Sequence, residues 1–350
     1  MIIVLKPHTS PEGIEEVRRH VVEMGYEPRL IQGVQRTVIA AVGDETEHPS
    51  LETLKGMAEV ENVVPIQKRY KLASREFHDA NSVVRIGQRP IGESNFQLIA
   101  GPCAVESRQQ IMETARHLQA AGIGILRGGA YKPRTSPYDF QGLGEQGLDC
   151  LAEVKEELGM AIVTEVVGVT HIEKVARVAD MLQIGARNAQ NYHLLEQVAA
   201  CGKPVMLKRG MASTIAEWLS AAEYLMVHGC QNVVLCERGI RTFETATRNT
   251  LDISAVAIAK QESHLPVIVD PSHAAGYCKL VLPLALAAIA AGADGLVIEA
   301  HPHPLDALSD AGQQLPSQSF RQDIVEPIRP WIQLAGKILN PCRTLGCGLN

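Results

Sequence analysis

Cysteine, histidine, carboxylate and basic residues recur along the last three-quarters of this chain, each just after a short aliphatic run. Cys103 and Glu106 follow the run ending at Ala100, Arg127 and Lys132 follow Leu126, and Glu165 follows Thr164. Arg187 comes after Ile184, Lys208 and Arg209 after Leu207, and Glu237 and Arg238 after Leu235. Asp270 and His273 then follow Val269, and Glu299 and His301 follow Ile298. Two chemical sets emerge. Arg127, Lys132, Arg134, Arg187, Lys208 and Arg238 suit anionic ligands, because guanidinium forks match phosphate and carboxylate geometry. Gly128, Gly129, Gly185 and Gly210 would let backbone amides approach such an anion. Cys103, His273, Glu299 and one later carboxylate, Asp306 or Asp310, combine thiolate, imidazole and carboxylate, a donor set for a divalent transition metal. Taken singly, a Cys is more often core and a basic residue more often pairs on the surface. Only convergence gives the sets meaning.

The aliphatic runs supply it. Gln97–Ala100, Gly124–Leu126, Ala161–Thr164, Met181–Ile184, Pro204–Leu207, Asn232–Leu235, Pro266–Val269 and Gly295–Ile298 start 20 to 37 residues apart. They are apolar throughout rather than alternating, as parallel strands covered on both faces must be. Helical stretches lie between them. Ser107 and Gln110 read as a capping box before Ile111, Ala115 and Leu118, and Ser213 reads as the cap of a helix carrying Ile215, Trp218, Leu219, Ala222 and Leu225. Eight strand-helix units predict an α/β fold, a (β/α)8 TIM barrel, whose chemistry is built at the C-terminal ends of its strands.

Residues 1–70 have another texture. Met1–Lys6 reads as a strand, Ser10-Pro11 as a helix start, and Ile14, Val17, Val21 and Met24 recur at helical spacing. Strand runs Pro28–Gln32 and Arg36–Val42 are joined by a connection containing Gly33, a helix is expected over Ser50–Ala58, and a closing strand over Val60–Gln67. The order βαββαβ predicts a small ferredoxin-like domain. Residues 71–95, polar and aperiodic, read as a linker, residues 96–320 as the barrel, and 321–350 as a C-terminal extension.

The 350 residues carry 33 basic and 39 acidic side chains, a net charge of −6, which argues against nucleic acid as a partner. Lys6-Pro7 breaks the first apolar run, so no signal peptide is read there. Pro283, Gly292, Asp294 and Gly295 interrupt the stretch Val281–Ile298, which excludes a membrane span there. Eight cysteines without a CxxC pair predict reduced thiols in a soluble cytoplasmic protein.

The motifs at the strand ends resemble those of the 3-deoxy-D-arabino-heptulosonate 7-phosphate (DAHP) synthases. They are Gly-Pro-Cys at 101–103 with Glu106-Ser107, Arg-Gly-Gly-Ala-Tyr-Lys-Pro-Arg-Thr-Ser-Pro at 127–137, Gly185-Ala-Arg-Asn, Leu207-Lys-Arg-Gly, Cys236-Glu-Arg-Gly, Asp270-Pro-Ser-His and Ser309-Asp310. The small domain before the barrel is similar to that of the subgroup with a ferredoxin-like regulatory domain. One departure is Ala311, with Gly312 next, where a Gly usually follows the loop aspartate. The resemblance implies condensation of phosphoenolpyruvate with erythrose 4-phosphate, the first committed step toward the aromatic amino acids. It assigns Arg127, Lys132, Arg187, Lys208 and Arg238 to phosphoenolpyruvate, and Lys132 with Arg134, Thr135 and Ser136 to erythrose 4-phosphate. It also implies a divalent metal on Cys103, His273, Glu299 and Asp310, Mn²⁺ foremost, with Fe²⁺, Zn²⁺ or Co²⁺ as alternatives. Lys132, Lys208 and Glu165 are the catalytic candidates, Glu165 and Lys208 for managing the water and the aldehyde proton, though an ion pair to a pocket arginine is an equal reading of Glu165. A homotetramer and an aromatic amino acid effector at residues 1–70 complete the expectation. Two rivals are a sister enzyme using arabinose 5-phosphate, whose aldehyde-side loop reads Lys-Ala-Asn-Arg-Ser-Ser, and a catalytically silent sugar-phosphate sensor.

Overall fold

A computed structural model describes residues 1–32, 37–43, 48–64, 69–133 and 136–339, which fall into two compact units, Met1–Arg69 and Tyr70–Asn350. In the first, β1 (Ile2–Leu5), α1 (Pro11–Glu23), β2 (Glu27–Gln32), β3 (Thr37–Val42) and β4 (Val60–Val64) form an antiparallel sheet in the order β2-β3-β1-β4 with one helix. That is the ferredoxin-like order. Ser10 caps α1 by accepting from Gly13 N, and Pro11 opens its first turn. Val17 and Val21 face Ile3, Leu5, Ile39 and Val63 in the core. The helix expected over Ser50–Ala58 is instead a 3-10 segment, Leu51–Gly56. Six residues ending in Gly are too few to nucleate a stable α-helix, so a tighter turn anchored by Leu51 and Leu54 takes its place. The Gly33 connection, Arg36 and residues 65–67 lie outside the described residues.

The second unit opens with a hairpin, β5 (Val84–Ile86) and β6 (Arg89–Ile91). Then come the parallel strands β7 (Asn95–Gly101), β8 (Ile125–Arg127), β9 (Ala161–Glu165), β10 (Met181–Ile184), β11 (Val205–Lys208), β12 (Val233–Glu237), β13 (Val267–Val269) and β14 (Gly295–His301). Each pairs with the next, and β14 pairs with β7, so the barrel closes. Helices α2 (Arg108–Ala120), α3 (Glu145–Leu158), α4 (Ile172–Val178), α5 (Tyr192–Ala199), α6 (Ile215–Val227), α7 (Ile253–Glu262), α8 (Pro271–Ala275) and α9 (Val281–Ala290) connect them. All eight expected strands are present, with ends shifted by a few residues at most.

Alternation along each strand builds the site. Leu126, Ile162, Leu182, Leu207, Leu235, Val269 and Ile298 pack outward in the main hydrophobic core. Ile99, Ile125, Val163, Met181, Met206, Val234, Ile268 and Val297 form a separate inner cluster. Two residues further along the inward series stand Arg127, Glu165, Gln183, Lys208, Asp270 and Glu299. The period of two therefore carries the apolar lining of the barrel straight into its polar rim.

Four further expectations are corrected. Residues 84–91, expected within a linker, form the β5–β6 hairpin, whose Val84, Ile86 and Ile91 join the inner cluster and seal the barrel floor. Upstream, Leu72 and Ala73 donate backbone N–H groups to Glu223, and Arg75 donates to the carbonyls of Lys260 and Ser263. Local composition could not reveal these distant partners. Within 321–350, expected as an extension, α10 (Glu326–Leu334) buries Ile328 and Ile332 in the main hydrophobic core. After a two-strand pairing of β14 with β15 (Leu315–Pro316), the last strand β16 (Ile338–Leu339) joins β7. Residues 340–350, with Cys342 and Cys347, lie outside the described residues. Finally, the cap of α6 is Thr214, in a capping box with Glu217, not Ser213. Ser107 does cap α2, but the Gln110 carboxamide accepts from Glu106 N rather than closing the box on Ser107.

Among the described residues no helix is long and apolar enough to cross a membrane.

Candidate active site

The four expected metal donors converge. Ligand atoms of Cys103, His273, Glu299 and Asp310 all lie within 4.8 Å of one another. Cys103 stands on the loop after β7, His273 in α8 after β13, Glu299 near the end of β14, and Asp310 on the following loop. Asp306, the alternative carboxylate, lies in a separate 3-10 turn and is not part of the cluster. Asp310 adopts the left-handed conformation (φ 53°, ψ 37°), which Asp tolerates better than most residues and which marks a constrained site. Ala311 does not share that conformation, so its Cβ meets no backbone penalty.

Every donor has a fixed neighbour. Asp270 caps α8, accepting from His273 N at 2.9 Å, and it also accepts from His273 Nδ1 at 2.7 Å. The Nε2 side of the ring faces Glu299 Oε1 at 3.5 Å and Asp310 Oδ2 at 3.8 Å. Lys208 Nζ lies 2.5 Å from Asp270. Glu299 pairs with Arg127, Asp310 with Arg248 at 3.0 Å, and the Cys103 sulfur accepts from Lys132 Nζ at 3.1 Å.

Charge states follow from these contacts. Burial pushes the His273 pKa down, so its imidazole is neutral at pH 7, with Nδ1–H on Asp270 and the Nε2 lone pair toward the cluster. Burial opposes ionisation of Asp270, but His273 and Lys208 together outweigh it and hold that carboxyl well below its usual range. For Glu299, in the acid range where its carboxyl titrates and His273 is protonated, burial is outweighed by His273 and Arg127, and for Asp310 by Arg248 and His273. Both stay ionised. Burial, with Glu299 adding and Lys132 opposing, pushes the Cys103 thiol up to about 11. A cation bound there would reverse that order, since a coordinated thiol loses its proton. A thiolate, a neutral imidazole and two carboxylates, each held by an outer partner, fit a divalent transition metal.

Beside this cluster one cavity is lined by Arg127, Lys132, Glu165, Gln183, Gly185, Arg187, Lys208, Arg238, Arg241, Arg248 and Asp310, among others. Arg127, Lys208 and Arg238 are almost fully buried. Glu299 and Asp270 balance Arg127 and Lys208, but among the described residues the Arg127 Nε has no hydrogen-bond partner. Such a cavity calls for an anion. Of the expected substrate residues, Arg127, Lys132, Arg187, Lys208 and Arg238 line it. Ser136 does not; its hydroxyl accepts from Tyr138 N. Arg134 and Thr135 lie outside the described residues.

Other rim residues are structural. Arg209 pairs with Glu237 and Asp252, and Glu106 bridges His301 and Leu308 N. Sequence reasoning placed Asp270 at a strand end and in the Asp270-Pro-Ser-His motif but gave it no role, although an Asp followed by Pro and, at the third position, His reads as a helix cap. It missed Arg241 and Arg248, which carry no local signal.

Glu165 accepts from Gln183 Nε2 at 3.1 Å, and a Cβ on Gly185 would lie 2.1 Å from Glu165 Oε1. Only a glycine lets the next loop approach so closely. Gly185→Ala should therefore push the Glu165 carboxylate out of place, lowering kcat while leaving the melting temperature within a few degrees, as steady-state kinetics and a thermal melt would reveal.

A TIM barrel with a metal-competent donor set beside a cationic cavity, both on its C-terminal rim, defines a class of metal-dependent barrel enzymes that act on anionic substrates. Residues 65–326 match the DAHP synthetase I family, and residues 1–68 match the DAHP synthase ferredoxin-like domain. The chain belongs to that family, whose members are metal-dependent. It is 50% identical to the phospho-2-dehydro-3-deoxyheptonate aldolase of Thermotoga maritima, covering 93% of this chain and 96% of that one. The crystal structure of the Thermotoga maritima DAHP synthase superposes with a TM-score of 0.92 at 48% identity, covering 97% of this chain and 99% of that one. A truncated form of the Thermotoga enzyme matches with a TM-score of 0.73 at 49% identity, covering 78% of this chain and all of that one. A 2-dehydro-3-deoxyphosphooctonate aldolase from Azoarcus sp. (strain BH72) is 34% identical over only 63% of this chain, and 85% of its own length.

Proposed function

We propose that this chain condenses phosphoenolpyruvate with erythrose 4-phosphate to give DAHP and inorganic phosphate. The observation that carries the reading is the rim itself, where a Cys-His-Glu-Asp donor set opens onto a cavity lined by buried cations. Arg127, Arg238 and Lys208 hold the phosphate and carboxylate of phosphoenolpyruvate, with Arg187 at the cavity mouth. Lys132 and the loop through Arg134, Thr135 and Ser136 receive erythrose 4-phosphate. A divalent cation on Cys103, His273, Glu299 and Asp310, Mn²⁺ in our reading, supplies Lewis-acid polarisation of the aldehyde oxygen.

The C3 methylene of phosphoenolpyruvate attacks the aldehyde carbon, forming the new C–C bond. Lys132 delivers a proton to the aldehyde oxygen. Water adds at C2, giving up one proton to Glu165, and the C2–O bond to phosphate breaks as the ketone forms, the remaining hydroxyl proton leaving with the phosphate. One water is consumed and one phosphate released. Lys208, held by Asp270, steadies the departing phosphate dianion.

The assay is phosphate release with both substrates. Chelation should abolish turnover and Mn²⁺ should restore it; full activity without metal would sink this mechanism. Erythrose 4-phosphate should be the preferred aldehyde, and faster turnover with arabinose 5-phosphate would assign the sister reaction instead. In our reading the enzyme is a cytoplasmic homotetramer.

We assign no group of residues 1–70 to this chemistry. We read them as the binding site of an aromatic amino acid, tyrosine or phenylalanine, that inhibits the barrel. Deleting them should leave an active barrel that these amino acids no longer inhibit, since allostery requires a second site. A full-length enzyme indifferent to both would make the domain purely structural.

A further inference from the structure

Gln313 is almost fully buried between two carboxylates, a post where a neutral amide must have a task. Its Nε2 donates to Glu299 Oε2 at 2.6 Å and lies 3.5 Å from Asp310 Oδ2. Its Oε1 accepts from Arg248 at 2.8 Å. An arginine can only donate, so the carboxamide can face only one way. The same guanidinium nitrogen lies 3.0 Å from Asp310 Oδ2. One arginine thus holds the second carboxylate directly and the first through the amide.

The loop bearing Arg248 is tied to the helix that carries His273. Arg248 N donates to Ala275 O, Asn249 N to Ala274 O, and Asn249 Nδ2 to His273 O. Gln313 itself closes the 3-10 turn that follows Asp310. Three of the four donors are therefore linked through these two residues.

The consequence concerns Glu299. A buried carboxylate with both oxygens free could turn, or offer both to a cation. Here Oε2 is engaged by Gln313, while Oε1 pairs with Arg127 and faces His273 Nε2 at 3.5 Å. We propose that Gln313, oriented by Arg248, is a positioning residue that makes Glu299 present Oε1 alone to the metal and sets its distance from Asp310. The proposal rests on the reading of this cluster as the metal site.

The test uses full-length enzyme stripped of metal and titrated with Mn²⁺, free ion being followed by its electron paramagnetic resonance. Gln313→Met keeps the length and loses the donor. Its Kd for Mn²⁺ should rise about 10- to 100-fold, the usual cost of losing an outer hydrogen bond to a ligand. With Co²⁺ in the site, its visible absorption bands should shift, because Glu299 is free to bind through both oxygens. Arg248→Met should raise the Kd in the same direction, and the double variant should cost less than the two effects combined, since the residues act as a unit. If Gln313→Met does not fold, Gln313→Asn, whose amide is too short to span both partners, should show the same loss. Wild-type Mn²⁺ affinity and an unchanged Co²⁺ spectrum in the folded variant would overturn the proposal. An Arg248→Met variant that raises only a substrate KM would remove Arg248 from it. Failure of the wild type to bind Mn²⁺ would overturn the metal site itself.

Discussion

Replacing Cys103 by serine should cost at least about 100-fold in kcat, because losing a ligand outright exceeds the loss of an outer partner. A hydroxyl stays protonated and is a far poorer ligand for a borderline metal than a thiolate. The fold should survive. Ser fits the space of Cys, and Lys132, Ser309 and Asp310 around the sulfur are all able to hydrogen-bond a hydroxyl. The decisive measurement pairs metal content with a thermal melt. A variant that retains metal-dependent turnover would return Cys103 to the core. One that unfolds would leave the role of the thiolate to Cys103→Asp, which restores an anionic donor and should recover part of the metal.

Asp270→Asn should have an effect of similar size by a different route. Asp270 is fully buried and joins the two halves of the site, with His273 Nδ1 at 2.7 Å and Lys208 Nζ at 2.5 Å both on its Oδ2. An asparagine placed there keeps the shape and removes the charge. His273 loses the partner that fixes its tautomer, which should weaken metal binding by about 10- to 100-fold. Lys208 is left buried without the carboxylate it pairs with, a strongly destabilising arrangement. Both the Kd for Mn²⁺ and the KM for phosphoenolpyruvate should therefore rise. A variant in which only one of them moved would show that Asp270 does not couple the metal and the anion cavity.

The architecture of the barrel was legible because a strand covered on both faces has to be apolar at every position. Its polar rim was legible because the apolar run stops where the inward series meets substrate. Ile125-Leu126-Arg127 and Val205-Met206-Leu207-Lys208 each spell that change in one step. The choice between Asp306 and Asp310 was not available to spacing, since both follow β14 on the same loop and only the left-handed turn at Asp310 aims one at the cluster. Gln313 gave no sign either. A neutral amide in a polar loop looks like solvent-facing chain until the two carboxylates beside it are known. The β5–β6 hairpin was hidden by its size, for strands of three residues are too short to display a period.

The pairing of β16 with β7 bears on how the protein is made. The edge of the first barrel strand is matched by residues 338 and 339, near the far end of the chain. The hairpin that seals the floor is synthesised before any of the eight strands it will seal. At roughly 5–20 residues per second, a ribosome needs about 10 to 50 seconds to travel from β7 to β16. Until β14 has been made, Val84, Ile86 and Ile91 have no completed inner cluster to enter and β7 lacks its partner β14; β16 follows last. Such sequence-distant pairings are the slow ones to form. The nascent chain thus keeps its apolar plug without its final partners until synthesis is nearly finished.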